Sequence, residues 1–524
     1  MPSPKRSRFS RPVAAVALSV VLTLTTAACG LFSEDNPRAL PSPTLSPSPL
    51  ASPGGSDAPS GPGLNRYYRQ KASWESCRED KLCTKIEVPL DYGAPEGESI
   101  ELSLLKVPAA SKSQRVGSLV VNPGGPGGSG VDYAAQTALY FGPELRQAFD
   151  IVGFDPRGVG ESTPVQCLSD AELDDFVASD PDPDTDQEIA QGDAMLADFG
   201  RGCAEQSGDL AAHMSTVEAA KDIDIIRAVL GDEELSYFGA SYGTFLGATY
   251  ADLFPKRVGR MVLDGAIDPS LSSEQTNLVQ AKGFETALRA YVGHCVDAGD
   301  CFLGGSVDAG TERIRSFLDD VEARPVSGSN GRELMVGNAV LGIWAPLYNE
   351  NYWPILDAAL ESAFGGNGAA LLALSDAYTS RGPGGYVDNS LEALYAVNCL
   401  DRDDSIPADE VPARIAEFEK ASPTFGAIFA FGLSSCSQWP VHTGRVPGPV
   451  HADGAAPILV IGTSRDPATP LEWAEALADQ LRSGVLVSRD GDGHTGYNAG
   501  NDCVDQTVEA YLVSGKVPKA DVDC

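Results

Sequence analysis

Basic side chains are scarce: 38 lysines and arginines stand against 73 aspartates and glutamates, leaving a formal charge of −35 over 524 residues. So acidic a chain disfavours nucleic acid and anionic membrane surfaces as ligands, because both would be repelled. Histidine is rarer still. The five are His213, His294, His442, His451 and His494, and none is spaced from another as a metal-ligand pair. The 11 cysteines contain no Cys-x-x-Cys knuckle, so no metal site is expected. No Lys-Ser or Lys-Thr pair closes a glycine-rich loop as a phosphate cradle requires, so no nucleotide and no other cofactor is expected.

What the chain does contain is Gly239-Ala240-Ser241-Tyr242-Gly243-Thr244-Phe245-Leu246, a Gly-x-Ser-x-Gly turn. Leu235-Ser236-Tyr237-Phe238 before it reads as a short strand, and the small residues Gly247-Ala248-Thr249-Tyr250-Ala251 after it suit a closely packed helix. Such a strand-to-helix elbow holds one serine hydroxyl clear of the backbone. Serine at neutral pH needs a base within hydrogen-bond reach and a third group to orient that base. His494 is the candidate base, since it follows the strand-like Gly484-Val485-Leu486-Val487-Ser488 in the loop Arg489 to Gly496. Asp466 is the candidate acid. It comes just after Pro457-Ile458-Leu459-Val460-Ile461-Gly462, an apolar run typical of a strand buried on both faces. An Asx turn ahead of a helix starting near Leu471 is the structural alternative for Asp466, and Asp490 and Asp492 are the backup acids.

Donors for a developing oxyanion are expected from the Tyr242 N–H and from a second glycine-rich loop. That loop is Asn122-Pro123-Gly124-Gly125-Pro126-Gly127-Gly128-Ser129-Gly130, reached from the strand Ser118 to Val121. The Gly125 N–H is the expected donor, with Gly124 next.

Residues 1–28 carry Lys5, Arg6, Arg8 and Arg11 with no acid, then an apolar run from Val13 to Ala28. This is the pattern of a signal peptide, too short for a comfortable membrane span. Thr26-Ala27-Ala28-Cys29 resembles a lipoprotein cleavage site, with Cys29 the acylated residue; ordinary secretion is the competing reading. Residues 29–65 follow as a tether rich in proline, serine and glycine. Setting Cys29 aside leaves an even set of cysteines, as an oxidised exported domain needs. Nearest neighbours would pair Cys77 with Cys83, Cys167 with Cys203, Cys295 with Cys301, Cys399 with Cys436 and Cys503 with Cys524, a connectivity that sequence leaves open.

Strand and helix patterns alternate over residues 66–268, which predicts an α/β fold with a mostly parallel sheet and helices on both faces. Residues 269–453 read as helices and irregular loops, an inserted cap above the carboxyl ends of the strands. Residues 454–524 return to the core.

Four ordered segments resemble the proline iminopeptidase and secreted tripeptidyl aminopeptidase group of α/β-hydrolases. Asn122 to Gly127 is similar to that group's His-Gly-Gly-Pro-Gly loop, with Pro123 where histidine often stands. Asp155-Pro156-Arg157-Gly158-Val159-Gly160-Glu161-Ser162 is similar to its Asp-Gln-Arg-Gly-x-Gly-x-Ser segment. The other two are the elbow and the closing residues Cys503, Tyr511, Gly515, Pro518 and Cys524. The resemblance implies an α/β-hydrolase fold and an exported, membrane-tethered serine exopeptidase acting on peptides with a free N-terminus. Leu391 to Asp401 resembles a segment of the tripeptidyl branch, which would make Glu392 and Asp401 the carboxylates that hold the substrate ammonium. An esterase with the same triad and a non-catalytic ligand-binding lipoprotein are the alternatives.

Overall fold

The computed structural model describes residues 63–524. The expected signal peptide, Cys29 and nearly all of the tether lie outside the described residues.

Ten strands form the main sheet: β1 (Glu75–Cys77), β2 (Lys81–Pro89), β3 (Ser99–Val107), β4 (Gly117–Asn122), β5 (Phe149–Phe154), β6 (Leu235–Ala240), β7 (Val258–Asp264), β8 (Ile458–Arg465), β9 (Gly484–Asp492) and β10 (Val522–Asp523). Their spatial order is β1-β2-β3-β5-β4-β6-β7-β8-β9-β10. The pairs from β1 through β3 to β5 are antiparallel, and every pair from β5 onward is parallel. Every residue of β4, β6 and β7 is buried, which explains their unbroken apolar character: helices cover both faces. Side chains alternate between those faces. Val120 joins the core under Ile223 and Ile226 of the helix Thr216–Leu230, while Leu119 and Val121 join the core under Val504, Val508 and Leu512 of the helix Asp502–Ser514.

β4 has β5 on one side and β6 on the other, so the chain winds in opposite directions from it. At such a reversal the loops leaving the strand ends diverge and open a crevice. Asn122 at the end of β4 lies in register with Gly239 near the end of β6, which sets the glycine-rich loop beside the serine turn.

Between β7 and β8 the chain is mainly helical and builds a core of its own around Phe284, Leu288, Ile314, Ile343, Leu356 and Phe425. Residues 66–268 do not divide as neatly as their sequence pattern implies. Two helices inserted between β5 and β6, Asp170–Ala178 and Asp186–Ser207, pack toward the cap. Phe176 and Phe199 meet Tyr395 of the cap helix Ser390–Asp401, with ring centroids 5.3 and 5.0 Å apart. Apolar stripes on both partners drive this union, which local periodicity cannot reveal.

Five disulfides join Cys77 to Cys83, Cys167 to Cys203, Cys295 to Cys301, Cys399 to Cys436 and Cys503 to Cys524, the nearest-neighbour pairing. The two that span 36 and 37 residues each constrain the unfolded chain by about 3–4 kcal/mol in the loop-entropy account. They tie the inserted helices and the cap helix Ser390–Asp401 in place.

Candidate active site

Ser241 occupies the turn between β6 and the helix Tyr242–Leu253 with φ 56° and ψ −127°. A residue with a Cβ holds such a conformation only when its surroundings impose it. Here the Ser241 N–H donates to the Asp264 carbonyl at 2.9 Å, and the Ser241 carbonyl accepts from the Thr244 N–H at 2.8 Å and the Thr244 hydroxyl at 2.6 Å. The turn is also too tight for a side chain before it. A Cβ on Gly239 would lie 2.2 Å from the Gly243 carbonyl oxygen, which is the steric reason for glycine at that place in the motif.

His494 follows β9, and its Nδ1 lies 2.9 and 2.8 Å from the two carboxylate oxygens of Asp466. Asp466 stands just past the end of β8 and is 1% exposed. Its oxygens also accept the N–H groups of Ala468 and Thr469 at 2.9 Å, the Thr469 hydroxyl at 3.0 Å and the Thr495 N–H at 3.2 Å. The turn reading and the acid reading of Asp466 therefore describe one side chain, since the bonds that shape the turn also fix the carboxylate against the imidazole. Asp490 and Asp492 point elsewhere. They pair with Arg465, at 2.8 and 2.7 Å.

The His494 main chain is held from the cap: its N–H donates to the Tyr348 carbonyl at 2.8 Å, and the Tyr348 ring meets the imidazole edge-on at 5.2 Å. Asp264, at the end of β7, accepts two further N–H groups of the loop, from Gly496 at 2.8 Å and Tyr497 at 2.9 Å. Burial lifts its pKa to about 6. Sequence reading assigned Asp264 no role, although it closes an apolar strand in the same way as Asp466. That shared pattern was the available signal. For His494, burial opposes the charged ring, but the Asp466 charge and hydrogen bond, aided by the Asp264 charge, outweigh it and hold the pKa above the ordinary value.

Ser241, His494 and Gly125 line one cavity of about 630 Å³, and the buried His494 Nε2 has no hydrogen-bond partner. None of the other four histidines lines it. His213 binds Glu218, His442 binds Asp403, His451 binds the Gln480 carbonyl and His294 packs on Trp353.

The glycine-rich loop leans directly on the elbow. A Cβ on Gly124, at φ +97°, would stand 2.6 Å from the Ala240 carbonyl oxygen and 2.9 Å from the Tyr242 nitrogen. The Gly124 N–H is already committed to Asn122 Oδ1 at 3.0 Å. As the first residue of its helix, Tyr242 has no intrahelical acceptor for its N–H. Asp155 supports this loop from below: it accepts the Ser129 hydroxyl at 2.6 Å, the Val131 N–H at 3.1 Å and the Glu161 N–H at 2.8 Å. Arg157, fully buried, clasps Asp222 at 2.7 and 2.8 Å and donates to the carbonyls of Pro89, Leu90 and His213. The Asp155 to Ser162 segment is thus a brace for the loop.

A family profile described as "TAP-like protein" matches residues 422–524. Over nearly the whole length, the chain is 37% identical to serine protease Hip1 of Mycobacterium tuberculosis, across 480 residues that cover 87% of this chain and 91% of that one. It is 34% identical to carboxylesterase B of the same organism, covering 86% and 89%, and 30% identical to tripeptidyl aminopeptidase of Streptomyces lividans, covering 88% and 87%.

The chain belongs to the TAP-like family of α/β-hydrolases. It is a serine hydrolase by that membership.

Within this TAP-like hydrolase, Glu392 and Asp401 do not line the cavity that holds Ser241. Glu392 Oε1 accepts the N–H groups of Cys167 at 2.5 Å and Leu168 at 3.1 Å, stapling the cap helix to the inserted segment. Asp401 accepts the Thr216 N–H at 2.8 Å, the Thr216 hydroxyl, and Arg445 at 3.3 Å. Both side chains are largely buried and accept from local donors. The carboxylates that line the cavity are Asp180 and Asp193, in a region where sequence reading placed no site.

Proposed function

We propose that this chain is an exported serine exopeptidase that cleaves peptide bonds near the free N-terminus of short peptides. The observation that carries this reading is a buried imidazole, oriented by a carboxylate on Nδ1 and unpaired on Nε2, lining the same apolar-walled cavity as a serine held in a strained elbow. Ser241 Oγ attacks the scissile carbonyl carbon as His494 Nε2 takes its proton, with Asp466 holding the Nδ1–H tautomer. The Tyr242 and Gly125 N–H groups stabilise the oxyanion. His494 then protonates the departing amine, which leaves an acyl-serine that water opens along the same proton route. Since His494 Nε2 has no partner here, the hydroxyl–imidazole hydrogen bond would form as substrate fills the cavity.

Gly124→Ala tests the oxyanion arrangement. Its methyl group would intrude between the loop and the Tyr242 nitrogen, so kcat is expected to fall by about 10²–10³-fold. Stability should also drop by about 1–3 kcal/mol, because the backbone has positive φ there. Steady-state kinetics and denaturant unfolding of the purified variant measure both; wild-type kcat would remove this loop from the mechanism.

The name of one relative, carboxylesterase B, favours a second reading in which the same triad opens small esters. A panel of peptide amides with free and acetylated amines, beside short-chain esters, separates the two. The exopeptidase reading expects turnover of the free-amine amides and its loss on acetylation. Turnover confined to esters would replace it. Export and acylation at Cys29 rest on the signal-like residues 1–28. Mass spectrometry of the N-terminus of the mature protein would report a diacylated cysteine, or its absence.

A further inference from the structure

Asp264 bonds to both the serine turn and the histidine loop. It ends β7, in register with Ala240 of β6 on one side and Ile461 of β8 on the other. Its carbonyl accepts the Ser241 N–H at 2.9 Å. Its two carboxylate oxygens accept the N–H groups of Gly496 and Tyr497, two and three residues past His494, at 2.8 and 2.9 Å. An asparagine of the same shape could accept only one of that pair, so two adjacent donors call for a carboxylate. The residue is 1% exposed, and charge-assisted bonds so sheltered from water are strong ones. Gly265 comes next, where a Cβ would lie 3.2 Å from His494 Cε1. The chain beyond β7 therefore runs directly against the imidazole.

The histidine loop needs such a hold. Residues 493–501 form neither helix nor strand, and glycines stand at 491, 493, 496 and 500, so the backbone alone does not fix where the imidazole sits. Asp466 does a different job: it meets the ring at Nδ1 and takes the Thr495 N–H at 3.2 Å. The Tyr348 carbonyl of the cap takes the His494 N–H at 2.8 Å. Asp264 adds the next two N–H groups that a strand-end carboxylate holds, and it joins them through its own backbone to the nucleophile's turn. A displacement of about 1 Å between reacting groups costs about 10²-fold in rate. The titratable groups that act on the ring are Asp466 and Asp264. From the cap, Tyr348 meets it edge-on as a neutral phenol, its pKa held well above the ordinary 10 by burial. Tyr133, which acts on Asp264 from the helix Gly130–Ala135, is kept neutral in the same way.

We propose that Asp264 is a positioning residue for catalysis: by holding the Ser241 turn through its carbonyl and the His494 loop through its carboxylate, it fixes the distance and angle from which His494 Nε2 reaches the serine hydroxyl. Asp264 does not line the cavity, so it acts through the two residues it holds and not on substrate. This role rests on the triad reading of the site and on neither choice of substrate.

The test compares wild type, Asp264→Asn and Asp264→Glu as mature oxidised protein, on whichever peptide amide or ester wild type turns over, with thermal unfolding to report the fold. Asp264→Asn keeps one acceptor and turns an amide toward the other N–H. Its kcat at the high-pH plateau is expected to fall by about 10²-fold with KM within about twofold of wild type. Its pH–rate limb should also move to lower pH, because a charge that favours the imidazolium is gone. Asp264→Glu keeps the charge but not the reach, so its kcat should fall while its limb stays at the wild-type pH. A folded Asp264→Asn with wild-type kcat overturns the role. So does a loss confined to KM, or a limb that moves while the plateau kcat stays, which would leave Asp264 only a source of field. If neither variant folds, Asp264 is structural and the positioning role falls. A wild type that a fluorophosphonate does not label at Ser241 defeats the triad reading, and this role with it, a result distinct from all the others.

Discussion

Ser241→Ala is expected to lower kcat on peptide amides by about 10⁶-fold, to the level left by the oxyanion donors and binding alone. Its stability should stay within about 0.5 kcal/mol of wild type, because the removed hydroxyl supports none of the hydrogen bonds that hold the turn: those use the Ser241 N–H and carbonyl. Ser241→Gly should be equally inactive and more stable by about 1 kcal/mol, since glycine enters the φ 56°, ψ −127° region without a Cβ penalty. A gain in stability alongside the loss of turnover would identify the elbow as a place where strain is kept for chemistry. Labelling by a fluorophosphonate in wild type but in neither variant assigns the nucleophile directly. Retained turnover in purified Ser241→Ala would end the mechanism.

The second large effect is expected at Asp466. Asp466→Asn keeps an oxygen for the Ala468 and Thr469 N–H groups, yet it turns an amide toward His494 Nδ1 and favours the wrong tautomer. A fall in kcat of about 10⁴-fold is expected. The pH profile should shift as well. In wild type the imidazole pKa is held above its ordinary 6.5 despite burial, largely by Asp466, and a general base must be neutral to work. Activity therefore rises with pH through a limb placed above 6.5. Without the carboxylate, burial dominates and the limb moves to lower pH. Stability carries the opposite sign: the imidazolium–carboxylate pair contributes fully below pH 6.5 and its contribution fades as pH rises through the elevated pKa of the folded state. An unshifted limb in Asp466→Asn would separate His494 ionisation from Asp466 and point to Asp264, the other carboxylate whose charge acts on the ring.

Both predictions concern residues that were legible in the sequence. The strand before Ser241, the one before Asp466 and the one before His494 are each announced by a short apolar run, and in a parallel sheet the residues just past such runs must meet at one edge. Asp264 was legible by the same rule and passed over, because an acid at a strand end has no visible partner until the His494 loop folds across it. That Glu392 and Asp401 lie away from the cavity was not legible, for a different reason. Both lie on the helix Ser390–Asp401, and a carboxylate on a cap helix faces the cavity or a neighbouring backbone according to how that helix is rotated against its surroundings. The segment around Cys167 and the Thr216 turn took those carboxylates instead.

Sequence alone determined the parallel core and the chain order of Ser241, Asp466 and His494 at the strand ends, and it suggested the neighbour pairing of the cysteines, because each depends on short-range pattern or on residues brought together by one sheet. Only the tertiary structure decided which carboxylates face the substrate cavity and which are consumed as caps and staples. That choice is made by the packing of the helices Asp170–Ala178 and Asp186–Ser207 against the cap, an apolar contact between segments about two hundred residues apart in the chain, beyond the reach of any local periodicity.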